Sequence, residues 1–507
     1  MVSTFSGLEV AKRGLFAQQS ALHTTGHNIS NANTEGYTRQ RVNFEQTSPF
    51  PPASRNRPEI AGQIGSGVQS GAIERIRDGY LDDQYRGENN KTGYYEARAD
   101  SYGRLEEVMN EPSEDGLSKT MDRFWNSLQD LSVNPEDSGA RSVVRQRGQA
   151  VAENYNYLSN TISDMQKDVA AEVDVTTKDI NSMATQINDL NEQIAEVEPH
   201  GMVPNDLYDK RDLLVDKLSE QVNVEVSYED TPSSADAMAM GKANITLLDE
   251  NGDAMEPNLV NGADNTANAL NVNYNDESLA TSVELGNKEI DVENFTSSGK
   301  LKALMDSGGY LKADGEAEGT YQNVIADLDK MATGFAETFN KVHQEGESLN
   351  SISDDDNAPN FFEVNGAIND DDVIEGLAGS LDITNEIKND TDHIAAANEA
   401  LAGDGGNASD LAKVQNTEIF GSETSVVSYY ESMIGSMAVE AQEAQRMKSN
   451  AGTLTDSVQQ QRQSVSSVSL DEEMTNMIKF QHAYNASARN ITVVDEMLDR
   501  IINQMGR

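Results

Sequence analysis

The chain has 507 residues, of which 38 are basic and 86 acidic, so its formal charge is −48, and it contains no cysteine. This charge argues against nucleic acid as a partner, because nucleic-acid affinity comes from basic side chains. The absence of cysteine excludes disulfides and cysteine-bound metals. The sequence contains no run of about 20 apolar residues, the length that would predict a membrane-spanning helix.

The first helix is predicted from an apolar residue at every seventh position near the N-terminus. These residues are Leu8, Leu15, Leu22 and Ile29. A sustained seven-residue repeat keeps one stripe on one side of a helix and favours packing against a partner helix. The residues that follow, 31–71, are rich in glycine, proline and asparagine, and they predict an extended loop or hairpin.

The interior of the chain alternates long helices with β-rich inserts. Residues 80–197 predict helices, and apolar residues at steps of three and four mark their second half. Short alternating runs separated by Asn-Gly predict a β-rich insert over 223–298. A helix over 321–343, a loop-rich insert over 346–416 and a long helix over 426–468 follow.

The chain ends in a second helix with a seven-residue apolar repeat. Its members are Leu470, Met477, Tyr484, Ile491 and Leu498. Two interpretations of the terminal helices stay open. They are two amphipathic helices of one globular core, or an antiparallel coiled coil between the chain ends, which is typical of subunits that stack into tubes.

These elements predict a mainly α fold with β-rich inserts, in an elongated multidomain chain whose terminal helices pair as a coiled coil. The nested order predicts four domains. They are a terminal coiled-coil domain of 1–40 with 465–507, a long-helix bundle with an extended loop of 41–222, 299–345 and 417–464, a β-rich insert of 223–298, and a second loop- and β-rich insert of 346–416.

The charge is distributed unevenly along these segments. Residues 1–80 carry a net charge of +2 and residues 446–507 a net charge of 0, so residues 81–445 carry −50. Such a charge keeps the middle of the chain solvated and repels other copies. The near-neutral ends are therefore the parts predicted to approach one another in an assembly.

No constellation of catalytic or ligand-binding residues emerges from the sequence. His23 and His27 are four residues apart, but Thr24 stands where a zinc-protease motif requires glutamate. Adjacent carboxylates carry no information about acid–base catalysis among 86 acidic residues. We therefore predict a protein that is not an enzyme and has no metal or cofactor.

Segments near both ends resemble a known family. Residues 28–39, NISNANTEGYTR, and residues 468–499 resemble the two terminal signatures of bacterial flagellar axial proteins, the rod, hook and hook-associated subunits. Asparagine and glycine can end the first helix because both tolerate left-handed backbone, and Tyr37 is expected to anchor the exit. Three internal segments, 124–141, 204–224 and 328–346, are similar to the hook–filament junction subunits of that family.

The resemblance implies a structural subunit that forms a ring at the junction between hook and filament and polymerises through its terminal helices. The alternatives are another axial subunit (hook or rod protein), or an extracellular adhesin or enzyme on an axial scaffold. Hook-type chains are dominated by β structure, against which the long helical stripes argue. The resemblance is weak over 229–298 and 347–415, where the inserts are very acidic.

The resemblance also implies a location, partners and an interface. The chain is expected to be extracellular and exported without a cleaved signal, since its first residues lack the regions of a secretory signal. Expected partners are other copies, hook protein, a second hook-associated junction protein, and an export chaperone at the C-terminal helix. The predicted assembly interface consists of Leu8, Leu15, Leu22, Asn28, Ile29, Asn31, Asn33, Gly36, Tyr37, Leu470, Met477, Tyr484, Ile491 and Leu498.

Overall fold

Two compact units make up the computed structural model. It describes residues 4–50, 62–109, 116–229, 231, 234–354, 358–364, 366, 373–418 and 424–504. Unit 1 comprises Met1–Lys91, Asp179–Ala269 and Gly452–Arg507, and unit 2 comprises Thr92–Lys178 and Leu270–Ala451. The bounds of the four domains predicted from the sequence stay a prediction.

Helices dominate the described residues, which confirms the mainly α fold class. They are α1 (Thr4–Ser30), α2 (Gly79–Met109), α3 (Leu117–Val133), α4 (Ser138–Val197), α5 (Asn205–Gln221), α6 (Lys300–Gly308), α7 (Thr320–Glu345), α8 (Leu349–Asp354), α9 (Leu377–Ser380), α10 (Asn385–Asn389), α11 (Gly406–Lys413), α12 (Val426–Ser466) and α13 (Leu470–Gln504). The predicted helices over 80–197, 321–343 and 426–468 correspond to α2–α4, α7 and α12.

The strands form four sheets among the described residues. They are β1 (Gln40–Gln46), β2 (Val68–Arg75), β3 (Val224–Tyr228), β4 (Ala243–Leu248), β5 (Ala254–Asn261), β6 (Thr266–Ala267), β7 (Leu270–Tyr274), β8 (Ala280–Leu285), β9 (Lys288–Asp291), β10 (Tyr310–Leu311), β11 (Ala317–Glu318), β12 (Phe362–Glu363) and β13 (Asp382–Ile383). β1 and β2 pair antiparallel, which agrees with the hairpin rather than the extended loop of the two predicted alternatives. Residues 51–61 lie outside the described residues.

The strands of residues 223–298 are shared between two sheets. One sheet has the order β3-β4-β5-β6 and belongs to unit 1. The other has the order β11-β10-β8-β7, with β9 beside β8, and belongs to unit 2. The sequence predicted a single insert here, because alternation shows that a strand has one buried face and does not show which sheet buries it.

The core of unit 2 is an aromatic cluster on α3, α7 and the segment around β12. Its fully buried members are Phe124, Trp125, Phe335, Phe339, Phe361 and Phe362. Ring centroids lie 5.3 Å apart for Phe124 and Trp125, and 4.9 Å apart for Phe335 and Phe362. Two of the internal segments that resemble junction subunits, 124–141 and 328–346, therefore supply most of this core.

Two buried polar side chains attach residues 346–416 to the helices of unit 2. The Arg141 guanidinium on α4 donates to the carbonyls of Pro135 and Ile394, at 2.7 and 2.8 Å. His343 on α7 lies between the Pro359 carbonyl and the Ala395 N–H, at 2.8 and 3.0 Å. These bonds give a segment with little regular structure fixed partners for its backbone.

Candidate assembly surface

The two terminal helices pack against each other in unit 1, as the sequence predicts. A Cβ added at Gly14 on α1 would lie 3.1 Å from Ser487 Oγ on α13. Nearer the other end, Thr24 and Thr25 line a common groove with Glu473 and Asn476. The later part of α1 therefore lies beside the earlier part of α13, so the pair is antiparallel.

Small and polar side chains make the buried face of α1. They are Ala11, Ala17, Ala21, Thr24, Thr25 and Asn28. The predicted stripe of Leu8, Leu15, Leu22 and Ile29 is half-buried and lies at the margin of this face. The larger apolar side chains of α1 thus keep part of their surface outside the contacts made within one chain.

The C-terminal helix is even less covered. Among the side chains of α13 that the structure describes, only Glu473 is buried. Met477, Tyr484, Ile491 and Leu498 of the predicted stripe are half-buried. The exposed apolar residues of α13 are Leu470, Met474, Ile478, Val493 and Met497.

Most of this exposed set was not predicted from the sequence. Counting every seventh residue follows a single stripe, and only Leu470 belongs to both the counted stripe and the exposed set. On α1, Phe5 and Phe16 are likewise exposed, at 61% and 56%. Apolar surface on two sides of a helix is a signal that a second partner covers it.

Asn28 joins the end of α1 to the start of β1. Its side-chain amide donates to the Gln40 carbonyl at 2.8 Å, and its Oδ1 accepts from the Gln40 N–H at 3.0 Å. The Tyr37 hydroxyl donates to the same oxygen at 2.7 Å. Burial and the nearby Asp209 carboxylate raise the pKa of Tyr37, which keeps this hydroxyl protonated as a donor.

Other residues of the N-terminal signature, 28–39, shape the turn between α1 and β1. Asn31 donates both its backbone N–H and its side-chain amide to the His27 carbonyl in the last turn of α1, each at 3.1 Å. Gly36 has φ +76°, and a Cβ there would lie 3.1 Å from Leu213 Cβ on α5. Asn33 is exposed. These residues have roles within the chain, and their role in an interface stays a prediction.

Gly36→Ala is expected to destabilise unit 1 by about 1–3 kcal/mol, because alanine must adopt left-handed backbone and its methyl group crowds Leu213. Thermal unfolding followed by circular dichroism measures the effect. Gly26→Ala in α1 is the matched control, since nothing lies within 4 Å of its added Cβ. That helical change is expected to stabilise by up to about 1 kcal/mol, and equal destabilisation by both changes would contradict this reading of Gly36.

A buried network of four arginines and four aspartates lies next to the turn between α1 and β1. Its members are Arg75, Arg77, Arg86, Arg462, Asp82, Asp209, Asp212 and Asp216. Asp212 on α5 accepts from Arg75 and Arg77, each at 2.7 Å. Burial alone would raise the pKa of Asp212, but Arg77 and Arg75 outweigh it and lower that pKa to about 2. Asp209, one helical turn earlier, accepts from Arg75 at 2.9 Å and from the Thr38 N–H at 3.1 Å, so the network holds the turn directly.

The same network binds the last turns of α12. Arg462 forms an ion pair with Asp82, with 2.7 Å between its Nε and Asp82 Oδ1, and also pairs with Asp216. Arg86 on α2 donates to Asp216 at 3.0 Å. These residues were not predicted from the sequence, although aspartates at 209, 212 and 216 follow the spacing of one helix face. The network positions α2, α5 and α12 of unit 1 around the residues that lead into both terminal helices.

Two kinds of site are absent from the described part of the chain. No group of three histidine, aspartate or glutamate side chains there is placed to hold a metal ion. None of the helices described combines the length and the apolar character that a membrane crossing requires. His27, one of the two histidines compared above with a zinc-protease motif, is hydrogen-bonded to the Tyr37 hydroxyl at 3.0 Å.

Three family models match the chain. Residues 102–362 match the helical domain of flagellar hook-associated protein FlgK. Residues 8–38 match a flagella basal body rod protein model, and residues 459–505 match the C-terminal model of the basal body rod proteins FlgEFG. The two short matches cover all of α13 and all of α1 except its first four residues.

Full-length relatives and a solved structure agree with these matches. Flagellar hook-associated protein 1 of Bacillus subtilis is 45% identical over 510 residues, covering 100% of this chain and 99% of that protein. The Escherichia coli protein of that name is 26% identical, with 97% and 98% covered. The flagellar hook junction protein FlgK of Burkholderia pseudomallei shares the fold, with a TM-score of 0.59 and 15% identity over 77% of this chain and 100% of that one. The resemblance predicted from both chain ends is confirmed, and the chain belongs to the family of flagellar hook-associated protein 1.

Proposed function

We propose that the chain is a structural subunit of the junction between flagellar hook and filament, and that copies of it form a ring through α1 and α13. The observation that carries this proposal is the incomplete burial of α13, on which Glu473 alone is buried among the described side chains. A helix of 35 residues gains most of its stability from packing. Neighbouring copies would supply the packing that a single chain leaves open.

The distribution of charge supports the same arrangement. Residues 81–445 carry −50, whereas the terminal segments are near neutral. Packing copies through their ends brings the least charged parts together and leaves the acidic parts in water, which minimises repulsion. Each 100 Å² of apolar surface covered in this way contributes about 2.5 kcal/mol.

Partners and location follow from this role. Other copies, hook protein on one side and the second hook-associated protein on the other are the proposed structural partners. An export chaperone would bind the apolar faces of α13 before assembly, as a helix in a groove. The protein would lie outside the cell and act through contacts alone, without catalysis.

Immunogold labelling of isolated flagella tests the location. We expect label confined to the boundary between hook and filament. Label along the rod, the hook or the filament shaft would instead identify another axial subunit and reject the proposal.

Leu22→Asp and Leu498→Asp are each expected to abolish incorporation into flagella, because an assembled interface would have to desolvate an unpaired carboxylate at a cost of several kcal/mol. Incorporation is measured by filament counts and by immunoblotting of sheared flagella. Leu22→Met and Leu498→Met are the matched controls, since methionine keeps an apolar side chain of similar volume at each position and should leave incorporation unchanged. Normal filaments in the Leu22 and Leu498 variants would exclude these stripes as the interface.

A further inference from the structure

The link between α12 and α13 has only three residues, 467–469, and one residue from elsewhere in the chain contacts both of its ends. The Arg39 N–H donates to the carbonyl of Ser466, the last residue of α12, at 2.9 Å. The Arg39 guanidinium donates to Glu473 Oε1 and Glu472 Oε2 in the first turn of α13, at 2.8 and 3.0 Å. Arg39 therefore spans the point where the chain turns into its last helix.

Arg39 is itself held in place. Its carbonyl accepts from the Ile76 N–H at 2.8 Å, and the next residue, Gln40, is bound through its backbone to the buried Asn28 amide. Its side chain is only 16% exposed. The guanidinium thus has a defined position relative to α1. Through its bonds to Glu472 and Glu473 it can fix the position of the first turn of α13.

The two glutamates differ in what they contribute. The Glu473 side chain is 3% exposed, so removal of Arg39 would leave a buried carboxylate without its ion-pair partner, which is strongly unfavourable. Glu472 is 57% exposed, and exposed pairs contribute little. The hydrogen bond from Arg39 lowers the pKa of Glu472, which agrees with the geometry.

Apolar packing by itself does not select one face of α13. Met477 and Ile491 of the predicted stripe are half-buried, while Met474, Ile478 and Val493 are exposed apolar side chains elsewhere on the helix. A helix with two such faces can rotate or slide on its partner at little cost in apolar contact. A single buried polar group is a known means of specifying register in paired helices.

We infer that Arg39 is a positioning residue that sets the face and register of α13 on α1, through its ion pairs with Glu473 and Glu472. The position of α13 on α1 is a property of the single chain and is tested in the purified protein. Only the consequence for assembly rests on the proposed function, since the position of α13 determines which apolar faces are left for neighbouring copies.

A disulfide measures the register directly, because the chain has no cysteine of its own. A Cβ at Gly14 would lie 4.0 Å from Ser487 Cβ, within the range that a disulfide bridges. We expect Gly14→Cys with Ser487→Cys to form an intrachain disulfide in the purified full chain under mild oxidation. Adding Arg39→Glu should slow its formation at least about tenfold, since it places like charges at a buried site.

Two controls separate positioning from general damage. Arg41→Glu changes a neighbouring arginine that pairs with Glu74 and should leave the crosslinking rate unchanged. Combining Arg39→Glu with Glu472→Arg and Glu473→Arg reverses the pair and should restore most of the rate. An unchanged rate in Arg39→Glu, or no recovery in the reversed pair, would overturn the inference. If crosslinking behaves as expected while gold label lies away from the junction, the positioning role stands and the proposed location fails.

Discussion

Asp212→Asn is expected to lower the free energy of unfolding of unit 1 by about 3–5 kcal/mol, because it leaves buried arginines without their shared carboxylate. The Asp212 side chain is 5% exposed and accepts from both Arg75 and Arg77 at 2.7 Å. Hydrogen exchange of the α5 backbone amides measures the effect within unit 1. Tryptophan fluorescence would not report on unit 1, since the only tryptophan, Trp125, belongs to unit 2.

Asp83→Asn is the matched control for this change. Asp83 pairs with Arg86 at 3.7 Å, but its side chain is 78% exposed. Its replacement should alter stability by less than about 1 kcal/mol, as is usual for exposed ion pairs. Similar losses in the two variants would show that the buried network is not what stabilises unit 1.

The acid dependence of the same network has a definite sign. The pKa of Asp212 is lowered from 3.8 to about 2 in the folded chain. A carboxyl whose pKa is lowered by folding stabilises the fold above its unfolded value and loses that contribution as the pH falls. The contribution of Asp212 should therefore be complete above about pH 4 and disappear towards pH 2, and Asp212→Asn should remove this part of the acid transition.

Unit 2 is expected to lose about 3 kcal/mol of stability between pH 6.5 and pH 4 through protonation of His343 in the unfolded chain. Burial, and more weakly Arg141 and His393, lower the pKa of His343 from 6.5 to about 4. The geometry explains why the neutral ring is required. Nδ1 donates to the Pro359 carbonyl, so Nε2 is the nitrogen that accepts from the Ala395 N–H and has no room for a second proton.

Tryptophan fluorescence follows this effect specifically, because Trp125 lies in the aromatic core beside Phe339 and α7. Denaturant unfolding at pH 7 and at pH 4 gives the stability difference. His343→Gln should be less stable at pH 7 and should lose much less on acidification than the unchanged chain. His393→Gln, which removes the other histidine of unit 2, should retain most of the acid dependence, because His393 contributes only weakly to the lowered pKa of His343. A loss of that dependence in His393→Gln would instead assign the titration to His393.

Several parts of the fold follow from local pattern. The stripe along residues 158–197 predicts one long helix, and Leu158, Ile162, Val169 and Ile180 are buried as the stripe requires. The Asn-Gly at 251–252 predicts a hairpin, and it lies in the turn between β4 and β5, where Gly252 has φ +85°. These features depend on residues close in sequence, which is why periodicity and turn chemistry identify them.

Features made by distant residues were not predictable in this way. Asp212 lies more than 130 residues from Arg75 and Arg77 in the chain, and Arg39 lies more than 430 residues from Glu472 and Glu473. No local pattern matches a buried aspartate to its arginine among 86 acidic residues. Which of two strand groups joins which sheet is likewise decided by burial against the rest of each unit.

By itself, the sequence determined the helical character of the chain, the uneven distribution of charge, the apolar stripes of the terminal helices and the resemblance to the flagellar axial family. The tertiary structure alone decided which face of each terminal helix is buried. In α1 that face consists of small residues such as Ala17 and Ala21, and the predicted leucines lie at its margin. The physical reason is that a seven-residue repeat reports that a side of a helix is apolar, whereas close antiparallel packing and the Arg39 ion pairs select the side that contacts its partner within one chain.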